Sequence, residues 1–212
     1  GIKLSYAPGR NSDCTAEFTV ALMLSITRKI PMAYRDLHEG KHTADHKQDV
    51  NIKEGLRRDV TWSLGKDTPY VEYKGFHGHT LGIIGYGSIG RRVGAICRAF
   101  GMNVIVSDPY LKQDMVEEYV TLKSFDEVLS EADIITVHCK DVPETEKLIN
   151  ARAFSKMKPT AYFINTSRGA VIDEQALIEA LRNKKIAGAA LDVYESEPIA
   201  KDHPFLTEFN NV

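Results

Sequence analysis

Gly85-Tyr86-Gly87-Ser88-Ile89-Gly90 is the stretch that decides how this chain folds. It follows directly on the apolar run Thr80–Gly85 and opens Ser88 to Phe100, where Ile89, Val93, Ile96, Cys97 and Phe100 share one helical face. In a strand–turn–helix setting each glycine has its own task. Gly85 permits the tight turn, Gly87 lets backbone approach a pyrophosphate, and Gly90 allows the helix to pack closely on the strand. Amides at the helix start then face the negative charge. Taken alone, the pattern could be a tight turn near a chance acid. Asp108, eighteen residues beyond Gly90 at the end of the next strand, argues otherwise. An acid placed there accepts the two ribose hydroxyls of NAD and repels the additional phosphate of NADP. The loop is read as a dinucleotide site, for NAD.

Working outward, short apolar runs alternate with amphipathic segments from Thr80 onward. Strands are expected at Thr80–Gly85, Asn103–Ser107, Tyr119–Leu122, Ile134–His138, Ala161–Asn165 and Ile186–Leu191. Several are continuous Val, Ile and aromatic runs, as for strands covered on both faces. A second helix is expected over Asp173–Arg182, with Asp173 as its N-cap and Ala176, Leu177, Ala180 and Leu181 as its buried stripe. The pattern predicts an α/β doubly wound parallel sheet, whose ligands sit beyond the carboxyl ends of the strands.

The remaining polar clusters fall at such ends. Thr166-Ser167-Arg168-Gly169 follows one strand, Asp192 ends the last, and Glu197-Pro198 lies just past it. An arginine among small residues can present its planar fork to a carboxylate, although a surface salt bridge is the plainer reading. Glu197 precedes a proline and is held extended, either as a working acid or as a solvated one.

Composition removes other classes. The 212 residues carry 27 Lys plus Arg against 29 Asp plus Glu, a net charge of −2, too even for a polybasic nucleic-acid or membrane binder. At 43% apolar the chain is not a disordered one. Its longest apolar run, Phe18 to Ile26, has nine residues where a membrane-spanning helix needs about 20. No basic leader or cleavage signature begins the chain. Cys14, Cys97 and Cys139, odd in number and far apart, suggest buried thiols in a reducing, cytoplasmic setting. His38, His42 and His46 recur every four residues, but Gly40 interrupts the run and no nearby motif completes a metal site, so none is assigned. The Arg57-Arg58 pair reads as a solvated or interface face.

The motifs together resemble the D-2-hydroxyacid dehydrogenase family, which includes phosphoglycerate dehydrogenase and glyoxylate/hydroxypyruvate reductases. The resemblance rests on Gly-Tyr-Gly-Ser-Ile-Gly, Ser-Asp-Pro-Tyr, Val-His-Cys with Pro-Glu-Thr-Glu-Lys-Leu-Ile-Asn, Ile-Asn-Thr-Ser-Arg-Gly-Ala-Val-Ile-Asp-Glu and Ala-Ala-Leu-Asp-Val-Tyr-Glu-Ser-Glu-Pro, collinear from about Ala7 to Val212. It implies a Rossmann-type fold with an N-terminal crossover helix, Asp13–Ile30. Residues 1–30 would be the crossover remnant of a substrate domain. Residues 31–212 would be the NAD-binding domain, with the polar 31–78 stretch in a homodimer contact. Ser88 and Ile89 would give amides to the pyrophosphate, and Cys139 and Thr145 would line the adenine side. Thr166 and Ser167 would lie along the nicotinamide half, and Asp192 would bind the carboxamide. Arg168 would grip the carboxylate and 2-oxygen of a small 2-hydroxy or 2-oxo acid. Glu197, with Glu195 as its rival, would pair with a catalytic histidine and raise its pKa.

Departures are few. Lys140 stands where the family usually has proline and Val142 where threonine is frequent, while Asn11 and Glu17 keep the crossover spacing. The family's catalytic histidine follows an Asn-Val-…-Thr-Pro-His segment, a few residues beyond Asn210-Asn211-Val212. His203, in an Asp-His-Pro-Phe turn, reads as structural. The expected activity is therefore NAD binding with little turnover by this chain, and hydroxy-acid oxidation by the complete enzyme. The alternative is an NAD(H)-sensing module like the family's corepressors, for which no docking surface is legible.

Overall fold

A computed structural model describes residues 9–41 and 75–212. His42, His46, Arg57, Arg58 and most of the expected 31–78 contact segment lie outside the described residues. Two helices come first, α1 (Ser12–Thr27) and α2 (Ile30–His38). Then follow β1 (Thr80–Ile84), α3 (Ser88–Ala99), β2 (Asn103–Ser107), β3 (Val120–Leu122), α4 (Phe125–Glu131) and β4 (Ile134–Val137). The chain closes with α5 (Ala151–Lys156), β5 (Tyr162–Asn165), α6 (Glu174–Arg182), β6 (Gly188–Leu191) and α7 (Pro204–Thr207). All six expected strands are present, several shorter by one or two residues at an end.

The expected crossover helix, Asp13–Ile30, is broken. Lys29 turns left-handed at φ 52°, and α2 starts immediately after it. Pro31 supplies the reason, since it has no N–H to give to the Thr27 carbonyl one turn back. Two further helices, α4 and α5, carry explicit start signals. Ser124 and Glu127 form a capping box at α4, where the Ser124 N–H donates to Glu127 Oε2 at 2.9 Å. Asn150 Oδ1 accepts the Arg152 and Ala153 amides and caps α5. Asp173 caps α6 as expected, accepting the Ala176 N–H at 3.1 Å.

The sheet is six-stranded, wholly parallel, in the order β3-β2-β1-β4-β5-β6. Strand residues alternate between two apolar layers. Ile83, Ile134 and Ile164 face one side with Val93 and Cys97 of α3 and Ala16, Val20 and Met23 of α1. Ile84, Ile135 and Phe163 face the other with Val128 of α4, Phe154 of α5 and Leu177 of α6. This two-sided burial is why the strands read as unbroken apolar runs.

Register then sets the functional edge. Ile84 pairs with Ser107 and Val137, Val137 with Asn165, and Asn165 with Leu191. The next residue of each strand, Asp108, Gly85, His138, Thr166 and Asp192, therefore falls in one row along the carboxyl edge. The chain runs from β1 outward to β3, then crosses back to β4 beside β1, so the reversal lies at the Gly85 turn. Ligands of doubly wound sheets sit at such a crevice.

Helix α4 approaches β1 closely enough to demand glycine at position 82. A Cβ there would stand 2.7 Å from the Ala132 Cβ and 2.8 Å from Val128 Cγ1. Gly82→Ala is expected to lower the unfolding free energy by about 1–3 kcal/mol, measured by urea denaturation.

Candidate cofactor-binding site

The three loop glycines are required for different reasons. Gly85 adopts φ +86°, and a Cβ on it would lie 2.9 Å from the Cys139 N. A Cβ on Gly90 would lie 2.6 Å from the Gly85 carbonyl oxygen. Gly87 is different: nothing stands within 4 Å of its Cβ position, which opens to the cleft. The first two glycines close the turn on itself, and the third leaves room for a ligand.

Asp108 anchors this turn. Its Oδ2 accepts the Tyr86 N–H at 2.9 Å, and its Oδ1 accepts the Tyr110 N–H at 3.0 Å. The Tyr86 side chain points into the core, where its hydroxyl donates to Glu117 Oε2 at 2.9 Å and the Arg91 guanidinium lies 4.8 Å from its ring centre. Burial, and then the bond to Glu117, push the Tyr86 hydroxyl up in pKa, so it stays a donor. At Glu117 burial favours the acid. Hydrogen bonds from its own backbone, Tyr86 and Arg91 outweigh that and hold the carboxyl below the usual range. Nothing in the sequence pattern had singled out Tyr86 or Glu117.

A cleft of about 470 Å³ opens beside the loop. Gly87, Ser88 and Ile89 form one wall. His138, Cys139, Lys140 and Asp141 beyond β4 form the floor, and Thr166, Ser167 and Arg168 beyond β5 form the far end. The remaining wall is α1, through Asn11 and Thr15. Helix α1 is tied down by the Ser12 and Ser88 hydroxyls at 2.9 Å, by Asp13 with Arg92, and by the Thr19 and Thr166 hydroxyls at 2.8 Å. A larger cavity, about 760 Å³, lies at the amino ends of β5 and β6 beside Tyr162 and Ile186, away from this row.

Of the residues expected here, Gly87, Ser88, Ile89, Cys139, Thr166, Ser167 and Arg168 line the cleft. Gly85, Gly90 and Asp108 build the turn behind it. Thr145 is folded into its own loop, donating to the Lys140 carbonyl at 2.6 Å and so holding the stretch that carries Lys140 and Asp141. Asp192 is exposed, its N–H donating to the Asn165 carbonyl at 3.0 Å. The two candidate acids differ. Glu195 pairs with Lys147 at 3.3 Å, whereas Glu197 accepts the Tyr194 N–H at 3.1 Å and has no cationic partner among the described residues. Gly169 joins this loop to the arginine turn, for a Cβ there would fall 1.9 Å from the Tyr194 carbonyl oxygen. His203 is structural, as expected: its Nδ1 accepts the Phe205 N–H, which leaves Nε2 to donate to Glu174 at 3.0 Å.

Two of the floor side chains, His138 and Cys139, are held in their neutral forms. Burial pulls the His138 pKa down to about 4 and leaves it neutral, with Nε2 3.0 Å from the Thr136 hydroxyl. Burial and the Asp108 charge push the Cys139 thiol up to about 11, and burial alone pushes Cys97 to about 12. All three cysteines are free, and of the three thiols expected to be buried, Cys97 is buried, Cys139 is partly buried and Cys14, on the outer face of α1, is exposed. Among the described residues no cluster of His, Cys, Asp or Glu could hold a metal, and no helix is long and apolar enough to cross a membrane.

A glycine turn at the sheet's reversal point, an acid one strand over and an open cradle at Gly87 together define a dinucleotide-binding α/β protein. Residues 20–212 match the family model for the NAD-binding domain of D-isomer specific 2-hydroxyacid dehydrogenases, and the chain belongs to that family. It is 39% identical over 207 residues to D-3-phosphoglycerate dehydrogenase of Archaeoglobus fulgidus, covering 97% of this chain and 35% of that protein. It is also 39% identical to glyoxylate reductase of Aeropyrum pernix, covering 100% of this chain and 58% of that one. Among solved structures, the NAD-complexed D-isomer specific 2-hydroxyacid dehydrogenase of Lactobacillus delbrueckii superposes with a TM-score of 0.75 at 30% identity, covering 96% of this chain and 60% of that one. The chain thus spans between about a third and three fifths of these relatives.

The Tyr86–Glu117 bond has a testable pH signature. A carboxyl held low contributes its stability fully above the ordinary carboxylate value, about 4.3, and loses it as pH falls through the lowered value. Tyr86→Phe is expected to cost about 1 kcal/mol at pH 7. The gap to wild type should narrow as urea unfolding is repeated towards pH 3.

Proposed function

We propose that this chain is the nucleotide-binding portion of an NAD-dependent oxidoreductase that oxidises a D-2-hydroxy acid or reduces the corresponding 2-oxo acid. The observation that carries the reading is the placement of Arg168 and the glycine turn at one carboxyl edge, on either side of a single cleft. Ser88 and Ile89 turn the start of α3 towards the pyrophosphate, and Asp108 holds the adenosine ribose. The Cys139–Thr145 loop walls the adenine side, and Thr166, Ser167 and Asp192 serve the nicotinamide half. Bound NAD supplies a hydride acceptor for the hydrogen leaving C2 of the hydroxy acid.

Arg168, whose Nη1 donates to the Ser167 carbonyl at 2.6 Å and whose backbone carbonyl accepts from Asn165 Nδ2 at 3.0 Å, offers its remaining guanidinium N–H groups to the substrate carboxylate and 2-oxygen. Glu197, unlike the Lys147-paired Glu195, is the acid suited to hold a histidine protonated for exchange with the 2-hydroxyl. His203 does not serve, because it is committed to Glu174 and to the start of α7.

The 212-residue chain is expected to bind NADH, followed by nicotinamide fluorescence, with little or no turnover of glycerate, lactate or glyoxylate. Robust turnover would overturn the assignment of the acid–base group outside this chain. Gly87→Ala should leave thermal stability near wild type yet weaken NADH binding by tenfold or more, since its methyl enters the open cradle.

A homodimer through the region that begins at α2 completes the proposal. Ile30, Tyr34 and Leu37 are more than half exposed there, which is costly apolar surface for a lone chain. Light scattering on the chain should give twice its 23.7 kDa mass. A monomer at micromolar concentration would count against it.

A further inference from the structure

The far end of the cleft has a hydrogen-bond polarity that can be read from its hydroxyls. Thr19 of α1 and Thr166 beyond β5 are both buried, with their oxygens 2.8 Å apart. Either could donate in isolation, because a hydroxyl has one proton and two lone pairs. A third oxygen decides the direction. The Thr19 hydroxyl also lies 2.7 Å from the Thr15 carbonyl, which can only accept. If Thr19 gave its proton to Thr166, the Thr166 proton would have no acceptor among the described residues, and the Thr15 carbonyl would lose its hydroxyl donor. With Thr166 donating to Thr19 and Thr19 to Thr15, both protons are satisfied, and a buried donor left unmade is costly. The Thr166 proton therefore points to α1, and the side of its oxygen facing the cleft can only accept.

Ser167 repeats the arrangement. Its N–H and its hydroxyl both donate to Asn165 Oδ1, at 2.9 and 2.8 Å. Asn165 is oriented by its Nδ2, which donates to the Arg168 carbonyl. Both hydroxyls at the arginine end thus have their protons turned inward.

We propose that Thr19, which does not line the cleft, is a positioning residue. Acting through Thr166, it makes this end of the site accept hydrogen bonds, selecting ligand groups that donate them. The proposal rests on the dinucleotide reading. There the donors available are a primary amide on the nicotinamide ring or the hydroxyls of the adjoining ribose. Removing the Thr19 oxygen would free the Thr166 hydroxyl to rotate and present its proton to those donors, reversing the match.

The test is a double-mutant cycle on NADH affinity, with thermal unfolding recorded for every variant. Thr19→Val, close in shape, is expected to weaken NADH binding about five- to tenfold, the size of one lost hydrogen bond. Thr19→Ser should stay within twofold of wild type. In a Thr166→Val background, Thr19→Val should change affinity by less than twofold. An equal loss in both backgrounds would mean that Thr19 acts by packing α1, and no loss in either would mean that polarity is irrelevant; each overturns the proposal. Repeating the cycle with reduced 3-acetylpyridine adenine dinucleotide, which lacks the amide donors, separates the two sources. A vanished Thr19→Val penalty assigns the donor to the amide, and a retained one assigns it to the ribose. Wild-type protein that fails to bind NADH at all would instead remove the dinucleotide reading beneath the proposal.

Discussion

The backbone contact between Gly85 and the start of the loop after β4 is the constraint on which the rest of this structure depends. At the point where the sheet reverses direction, two strand ends lie side by side and must lead to opposite faces. Gly85 turns with a positive φ within van der Waals reach of the His138–Cys139 peptide, leaving no volume for a side chain. Given that turn, α3 starts immediately and Gly90 is pressed against the Gly85 carbonyl. Asp108 can then accept the Tyr86 amide, tying the loop to the neighbouring strand. The cleft is what remains above this packing, and its opening at Gly87 is a consequence of how tightly Gly85 and Gly90 are closed.

A second layer of order comes from α1. It belongs by sequence to the start of the chain, yet it supplies core side chains beneath α3 and a wall of the cleft above it. Its attachments are mostly hydroxyls and one ion pair, with apolar contacts deeper in the core. Hydroxyl pairs cost little to bury when every proton has an acceptor, and they impose direction where an apolar contact would not. The end of β5 shows the same logic, with Asn165 gathering the Ser167 amide and hydroxyl and steadying the Arg168 carbonyl.

Much of this was legible before any coordinates. The runs around Ile83, Val104, Ile135 and Phe163 are apolar on both faces, a pattern that a parallel sheet covered by helices requires. The glycine spacing with Asp108, and the polar clusters after Asn165 and Leu191, placed chemistry at strand ends. Other features carried no such signal. The break at Lys29 departs from the single helix over Asp13–Ile30 that the family resemblance implied, because Pro31 acts on a carbonyl four residues earlier. The short helices α4 and α5 had cap signals, Ser124 with Glu127 and Asn150, that are easily lost between stronger patterns. Thr145, expected against a ligand, closes its own loop. Tyr86 reads as a variable position inside a glycine motif, and its bond to Glu117, thirty-one residues away, has no local signature.

The sequence by itself determined the class of fold, the dinucleotide turn, the family and the residues at the strand ends. Such features depend on local periodicity, on the φ angles only glycine tolerates, and on short motifs with fixed spacing. Only the tertiary structure decided which of two glutamates is occupied by a lysine and how α1 becomes a wall of the cleft. It alone brought Thr166 to Thr19 and Ser167 to Asn165, the contacts from which the direction of their protons is inferred. These depend on partners such as Thr19 and Thr166, 147 residues apart in the chain and 2.8 Å apart in space, which no local pattern could join.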